Sequence, residues 1–160
     1  MRILLVAILT AWAMSACGVP YRVAVPDSMI ELNESRWSQY SMRATTPDAV
    51  VFAVRTIRQG DNADVPRGDL DFWTDALDLR MRTIGGYALL ETVEVTSADG
   101  TDGVQLRFGH DQETVPYVYN VTIFVTDRFV HVIEAGGERD AYDEQSGSID
   151  SAVASYRVKR

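Results

Sequence analysis

Few residues in this 160-residue chain are of a type that could do chemistry, and they are scattered. Cys17 is the only cysteine, and His110 and His131 are the only histidines. His110 precedes Asp111, and a His–Asp pair can orient a general base. Neighbours on a strand point to opposite faces, however, and no serine sits in a Gly-x-Ser-x-Gly elbow. A solvated turn histidine is therefore the expected reading of His110. His131 alternates with Phe129 and Ile133, which predicts a hydrogen-bonded histidine within or beside the core. Two histidines 21 residues apart lack the helical spacing of zinc ligands. The run Asp99-Gly100-Thr101-Asp102-Gly103 resembles a calcium loop but lacks the repeated oxygen ligands and terminal Glu of an EF-hand, so a hairpin loop is expected. The acidic cluster Glu138, Asp140, Asp143 and Glu144 could collect a cation or face a basic partner, although such runs are usually a solvated helix face. Asn120-Val121-Thr122 is a glycosylation sequon in the middle of an expected strand and is discounted. No phosphate-cradling motif is present. These patterns predict no catalytic site, no metal and no cofactor.

Cys17 invites a different chemistry. It ends Met14-Ser15-Ala16-Cys17, after an apolar run over 3–13 that follows the single charge Arg2. A positive start, an apolar middle and small residues at the cut make a secretory signal. The segment resembles the lipobox of bacterial lipoproteins, with Met14 where leucine is usual. That resemblance implies cleavage before Cys17, a thioether-linked diacylglycerol on its sulfur, and acylation of the freed amine, with chains such as palmitate. Gly18 is not the Asp associated with inner-membrane retention, so by the same resemblance the expected address is the outer membrane, facing the periplasm. The alternative is an ordinary signal peptide, cut after Ala16 to leave a soluble protein with a free thiol. A membrane span needs about 20 apolar residues, and this run is barely more than half that. A lone cysteine cannot form an internal disulfide or a thiol-rich metal site.

The expected organisation is a signal peptide over 1–16, a lipid-anchored tether over 17–27 and one domain over 28–160, long enough for a real core. Without its leader the chain carries 14 basic and 23 acidic side chains, a net charge of −9. Nucleic-acid binding draws on clustered basic residues, so this balance argues against it, and no nucleic-acid partner is expected. It also argues against a domain lying flat on an anionic membrane.

The elements that must position these residues follow from periodicity. Tyr21 to Val25 alternates, but Pro20 and Pro26 confine it to an edge. Met29 to Leu32 and Trp37 to Arg43 read as short strands, and the β-branched run from Ala49 to Ile57 as a central one. Residues 60–68 read as a loop. Asp69 to Thr83 is the clearest helix. Leu70, Trp73, Leu77 and Met81 recur at helical spacing, with Phe72, Ala76 and Leu79 widening the apolar face. Phe72-Trp73 is expected to be a core seam, with Trp73 and Leu77 buried and Leu77→Ala costing about 2–5 kcal/mol. Gly85-Gly86 should stop the helix. Strands are predicted from Tyr87 to Val95, Val104 to Phe108 and Tyr117 to Val125. A tight turn near Asp127-Arg128 leads into a last strand, Phe129 to Ile133. Gly136-Gly137 should end the sheet. A frayed helix over 138–145, an interruption at Ser146-Gly147-Ser148 and a terminal amphipathic helix marked by Ile149, Ala152, Val153 and Tyr156 close the chain.

Strands and helices segregate, which indicates α+β with an antiparallel sheet and both helices packed on it. The segments 72–81, 121–133 and 149–156 resemble the PsbP/DcrB/Mog-like α/β/α sandwich. That resemblance implies a non-catalytic adaptor or chaperone, often a lipoprotein. The leading expectation is a lipid-anchored envelope domain that binds a protein or assists assembly. The alternative is a carrier of a small apolar ligand in a helix–sheet pocket, with Tyr117 and Tyr119 as a polar rim, and an enzyme is the weakest reading.

Overall fold

The structure, a computed structural model, describes residues 19–33, 38–61 and 65–159. The signal segment and Cys17 lie outside the described residues, as does Trp37. The described chain forms β1 (Tyr21–Arg22), β2 (Ile30–Glu31), β3 (Met42–Thr45), β4 (Val51–Arg58), α1 (Leu70–Thr83), β5 (Ala88–Thr96), β6 (Asp102–Gln112), β7 (Val115–Val125), β8 (Phe129–Glu138), α2 (Arg139–Ser155) and β9 (Arg157–Val158). This is the expected α+β architecture. Seven strands form one antiparallel sheet in the order β2-β3-β4-β8-β7-β6-β5, and β1 pairs with β9 in a separate ribbon.

Alternation along β7 separates two cores. Val121 and Ile123 point to one face, where they join Leu106, Phe108, Val130 and Val132 beneath α1. Phe124 points to the other, where it joins Phe52, Val54, Ile133 and the α2 residues Tyr142, Ile149, Ala152 and Val153. The helices therefore cover opposite faces of the sheet. Asp69 caps α1, its carboxylate accepting from the Phe72 N–H at 2.9 Å. Asp71 in the first turn and Arg80 and Arg82 in the last complement the helix dipole.

Several expectations need correction. Gly136-Gly137 does not end the sheet, because β8 runs through both to Glu138. A Cβ at Gly136 would sit 2.7 Å from the Tyr119 ring and 2.8 Å from the Val118 carbonyl oxygen. Glycine serves close approach here rather than termination. The closing helix is not interrupted either. α2 is continuous through Ser146-Gly147-Ser148, because burial of Tyr142 on one side and Ile149 on the other offsets a glycine cost of about 1 kcal/mol. No strand starts before Met42 in the 38–43 segment, and the predicted strand from Tyr21 shrinks to two residues.

The largest correction concerns α1, which contains no fully buried residue. Trp73 and Leu77 pack on the sheet but remain half-buried, while Phe72 is 45% and Leu79 58% exposed. The apolar face of α1 is wider than the contact it makes. Leu77→Ala should accordingly cost only about 1–2 kcal/mol, below the range for full burial. Urea unfolding of the two proteins measures this, and a loss well inside the fully buried range would place Leu77 deeper than the fold shows.

Candidate functional site

The face of the sheet that carries α1 is only partly covered, since α1 packs over β5, β6 and β7. Two concave features open there. One is a groove of about 490 Å³ between α1 and the sheet, lined by Ile57, Trp73, Leu77, Ile123, Val130 and Val132, with Arg55 and Arg80 as charged members. Its size falls within the usual range of small-molecule sites, roughly 300–1,000 Å³. The second is a cavity of about 300 Å³ over β3, β4, β8 and β7, lined by Tyr40, Arg43, Tyr119 and Glu134.

Gln59 anchors the groove at the start of α1. Its side-chain oxygen accepts from the Trp73 indole N–H at 3.0 Å and the Gly68 N–H at 2.8 Å, while its amide nitrogen donates to the Thr126 carbonyl at 2.7 Å. One buried amide thus ties the helix entry to the β7–β8 turn. At the other end of α1, Ile84 is 78% exposed.

Glu134 is the least expected side chain in the second cavity. It stands in β8 on the same face as Val132 and Val130, yet it is only 9% exposed. Its Oε2 accepts from the Tyr119 hydroxyl at 2.7 Å and the Tyr40 hydroxyl at 2.9 Å. Arg55 Nη2 stands 3.8 Å from its Oε1. Arg55 also donates through Nη1 to Gln39 at 3.3 Å, and its Nε is buried without a hydrogen-bond partner. Arg43 lies over the Tyr40 ring, 5.9 Å from its centroid. Burial first, and the Glu134 charge second, raise the pKa of Tyr119 well above the ordinary tyrosine value and raise that of Tyr40 too. Both hydroxyls stay protonated and act as donors, so neither offers a phenolate base or nucleophile. The cluster is suited to holding a polar group and is a poor proton shuttle.

The residues singled out from the sequence are not brought together. His110 is half-buried at the far end of β6, its Nδ1 3.2 Å from the Gly86 carbonyl oxygen and its ring 5.1 Å from that of Tyr87. Asp111 is exposed, and the two alternate across the strand. His131 is fully buried on the α2 face, as its alternation predicted, with Nδ1 2.8 Å from the Tyr156 hydroxyl. Burial pushes its pKa down to about 4, slightly offset by the Asp99 charge. Asp99 lies in a hairpin loop. Burial opposes its ionisation, but the Val158 N–H and the Ser97 and Thr101 hydroxyls together hold its carboxyl below the usual range. Among the described residues no group of three or more His, Cys, Asp or Glu could hold a metal. Glu138, Asp140, Asp143 and Glu144 are exposed around the start of α2. Asn120 is buried and donates to the Tyr142 hydroxyl at 2.8 Å. That hydroxyl is pushed up to about 12 by burial, partly opposed by this hydrogen bond.

Of the tyrosines suggested as a polar rim, Tyr119 does face the sheet surface carrying both features. Glu134, Tyr40 and Arg55 were missed. A Glu directly after Val130 to Ile133 reads as the solvated end of a strand, and only the pairing of β8 with β4 surrounds it.

No family model matches the chain, and no curated protein matches it in sequence. Similar solved structures include LpqN, involved in cell envelope biogenesis of Mycobacterium tuberculosis, with a TM-score of 0.67 and 16% identity over 88% of this chain and 83% of that one. Cyanobacterial PsbP (CyanoP) from Synechocystis gives a TM-score of 0.57 and 12% identity over 87% of this chain and 86% of that one. At these identities the likeness establishes the fold, and the PsbP-type architecture read from the sequence is met at that level.

Proposed function

We propose that this chain is a lipid-anchored domain of the bacterial cell envelope that works by binding. The address rests on the lipobox-like Met14-Ser15-Ala16-Cys17. It is supported by a fold similar to that of a protein involved in cell envelope biogenesis. No helix among the described residues is long and apolar enough to cross a membrane. The observation that carries the binding reading is the groove under α1: a helix with an apolar face, no fully buried residue and about 490 Å³ of space beneath it.

Two forms of binding remain, an adaptor for an envelope protein and a carrier of a small apolar ligand. The groove favours the second, because it is concave, apolar over most of its lining and bounded by Arg55 and Arg80, which would suit an acyl chain with a polar head. The full chain should therefore bind a fluorescent fatty acid with energy transfer from Trp73, which lines the groove. Ala76→Arg, at an exposed α1 position on the groove wall, should weaken binding about tenfold or more by filling the space, roughly a 1.4 kcal/mol effect. Equal binding by the variant, or none by the parent, would remove the carrier reading and leave the adaptor. In that case the exposed acidic cluster from Glu138 to Glu144 is the surface to reverse.

A further inference from the structure

The described chain begins at Val19, beside a cleft of about 690 Å³ at the β7–β8 end of the sheet. Val19, Arg58, Asp127, Arg128, Phe129 and Lys159 are among its lining residues. Three of these are basic and one acidic, in a protein whose overall charge is −8. The guanidinium groups of Arg58 and Arg128 flank the Phe129 ring at 5.4 Å and 5.7 Å from its centroid. Lys159 donates from Nζ to the Val19 carbonyl at 3.1 Å. All three basic side chains belong to exposed residues. Acids lie close by: Asp61 is 3.9 Å from Arg58 Nε, and Asp99 is occupied by its own loop and the Val158 N–H.

The position of this cleft matters as much as its charge. Val19 is two residues from Cys17, a span of at most ~7 Å of extended chain. The ribbon of β1 and β9 ties that start firmly to the domain, with the Lys159 N–H donating to the Pro20 carbonyl at 2.8 Å. If Cys17 is lipidated, as proposed above, this end of the domain is held at the bilayer surface and cannot stray far from it.

We infer that the cleft formed by Arg58, Arg128, Phe129 and Lys159 docks on anionic phospholipid headgroups and sets the orientation of the domain on its membrane. Basic residues within a Debye length of an anionic surface are attracted to it, and the lipid tether raises their effective concentration there. Contact at one tip is compatible with the acidity that opposes lying flat. It also has a functional consequence. Ile57 and Val130, which line the α1 groove, are the chain neighbours of Arg58 and Phe129. Docking therefore brings one end of the groove toward the bilayer, where an apolar ligand would be collected or delivered.

The test uses the full lipidated chain reconstituted into phosphatidylethanolamine vesicles with and without phosphatidylglycerol. An environment-sensitive dye is placed at Asp127→Cys in the β7–β8 turn or at Thr114→Cys in the β6–β7 turn at the opposite end, Cys17 being blocked by its lipid. With phosphatidylglycerol, headgroup nitroxide lipids should quench the dye at 127 about twofold more than at 114. High salt, omission of phosphatidylglycerol, or joint Arg58→Glu, Arg128→Glu and Lys159→Glu should shrink that difference to the smaller one the tether alone maintains, while the protein stays on the vesicles. Equal quenching at both sites, or a difference that the charge reversal leaves unchanged, overturns the docking inference alone. The mass of the amino-terminal peptide separates the two claims, since an unmodified Cys17 overturns the anchor and the docking together. Tryptophan emission checks that the charge-reversed protein is folded.

Discussion

The Tyr156→Ala protein is expected to lose about 3–5 kcal/mol of stability, the range for removing a fully buried aromatic side chain. Tyr156 is 0% exposed and lies between the rings of Tyr21 and Phe124, with centroids 5.4 Å and 5.5 Å away and interplanar angles of 13° and 8°. Its hydroxyl is also the hydrogen-bond partner of His131 Nδ1. Truncation opens a cavity, breaks both stacks and leaves a buried ring nitrogen without a partner, which by itself costs about 1–3 kcal/mol. Tyr156→Phe keeps the stacks and removes only the hydroxyl, so it should lose no more than that smaller amount. Urea unfolding of the three proteins at neutral pH measures both losses. An alanine variant as stable as the phenylalanine variant would mean that the stack contributes little. Because Tyr21 belongs to β1, the same substitution should also loosen the β1–β9 ribbon.

Acid should destabilise the protein through His131 by about 3 kcal/mol. In the folded state burial lowers the pKa of this imidazole to about 4, while in the unfolded chain it returns to the ordinary histidine value of 6.5. The sign follows from proton uptake. Above pH 7 the ring is neutral in both states and contributes nothing to the pH dependence. As pH falls from 6.5 toward 4, the unfolded state binds a proton that the folded state refuses, so stability is lost across that window and the loss levels off below it. Nε2 is buried without a hydrogen-bond partner, which leaves the imidazolium no compensation for its desolvation. The check compares denaturant midpoints at pH 7.5 and 4.5 for the wild type and His131→Asn. The variant, although less stable at neutral pH, should lose about 2.5 kcal/mol less between the two pH values. Parallel losses in both proteins would assign the acid sensitivity to carboxylates instead.

Much of the local structure was legible because its signals are local. Helix α1 announced itself by the spacing of Leu70, Trp73, Leu77 and Met81. The β7–β8 hairpin followed from strict alternation on either side of Asp127-Arg128. His131 was placed in the core by its alternation with Phe129 and Ile133. Where chain pattern misled, a non-local contact had outweighed it. Gly136 reads as a breaker until the Tyr119 ring is seen packed where its side chain would be. Gly147 reads as a stop until Tyr142 and Ile149 are seen holding the helix on both sides of it.

By itself, the sequence determined the α+β class, the antiparallel meander and the acidic charge balance, because composition and periodicity are properties of neighbouring residues. Only the tertiary structure decided how far α1 sinks into the sheet, since the depth of a helix depends on the side chains of β5, β6 and β7 that strand pairing sets beneath it. The same holds for the Glu134 cluster, which needs Tyr40 and Tyr119, 94 and 15 residues away along the chain, to reach one carboxylate oxygen. The basic cleft joins Val19 to Lys159, 140 residues apart. Pairing of β4 with β8 and of β1 with β9 creates these neighbourhoods, and no periodicity encodes which strands will meet.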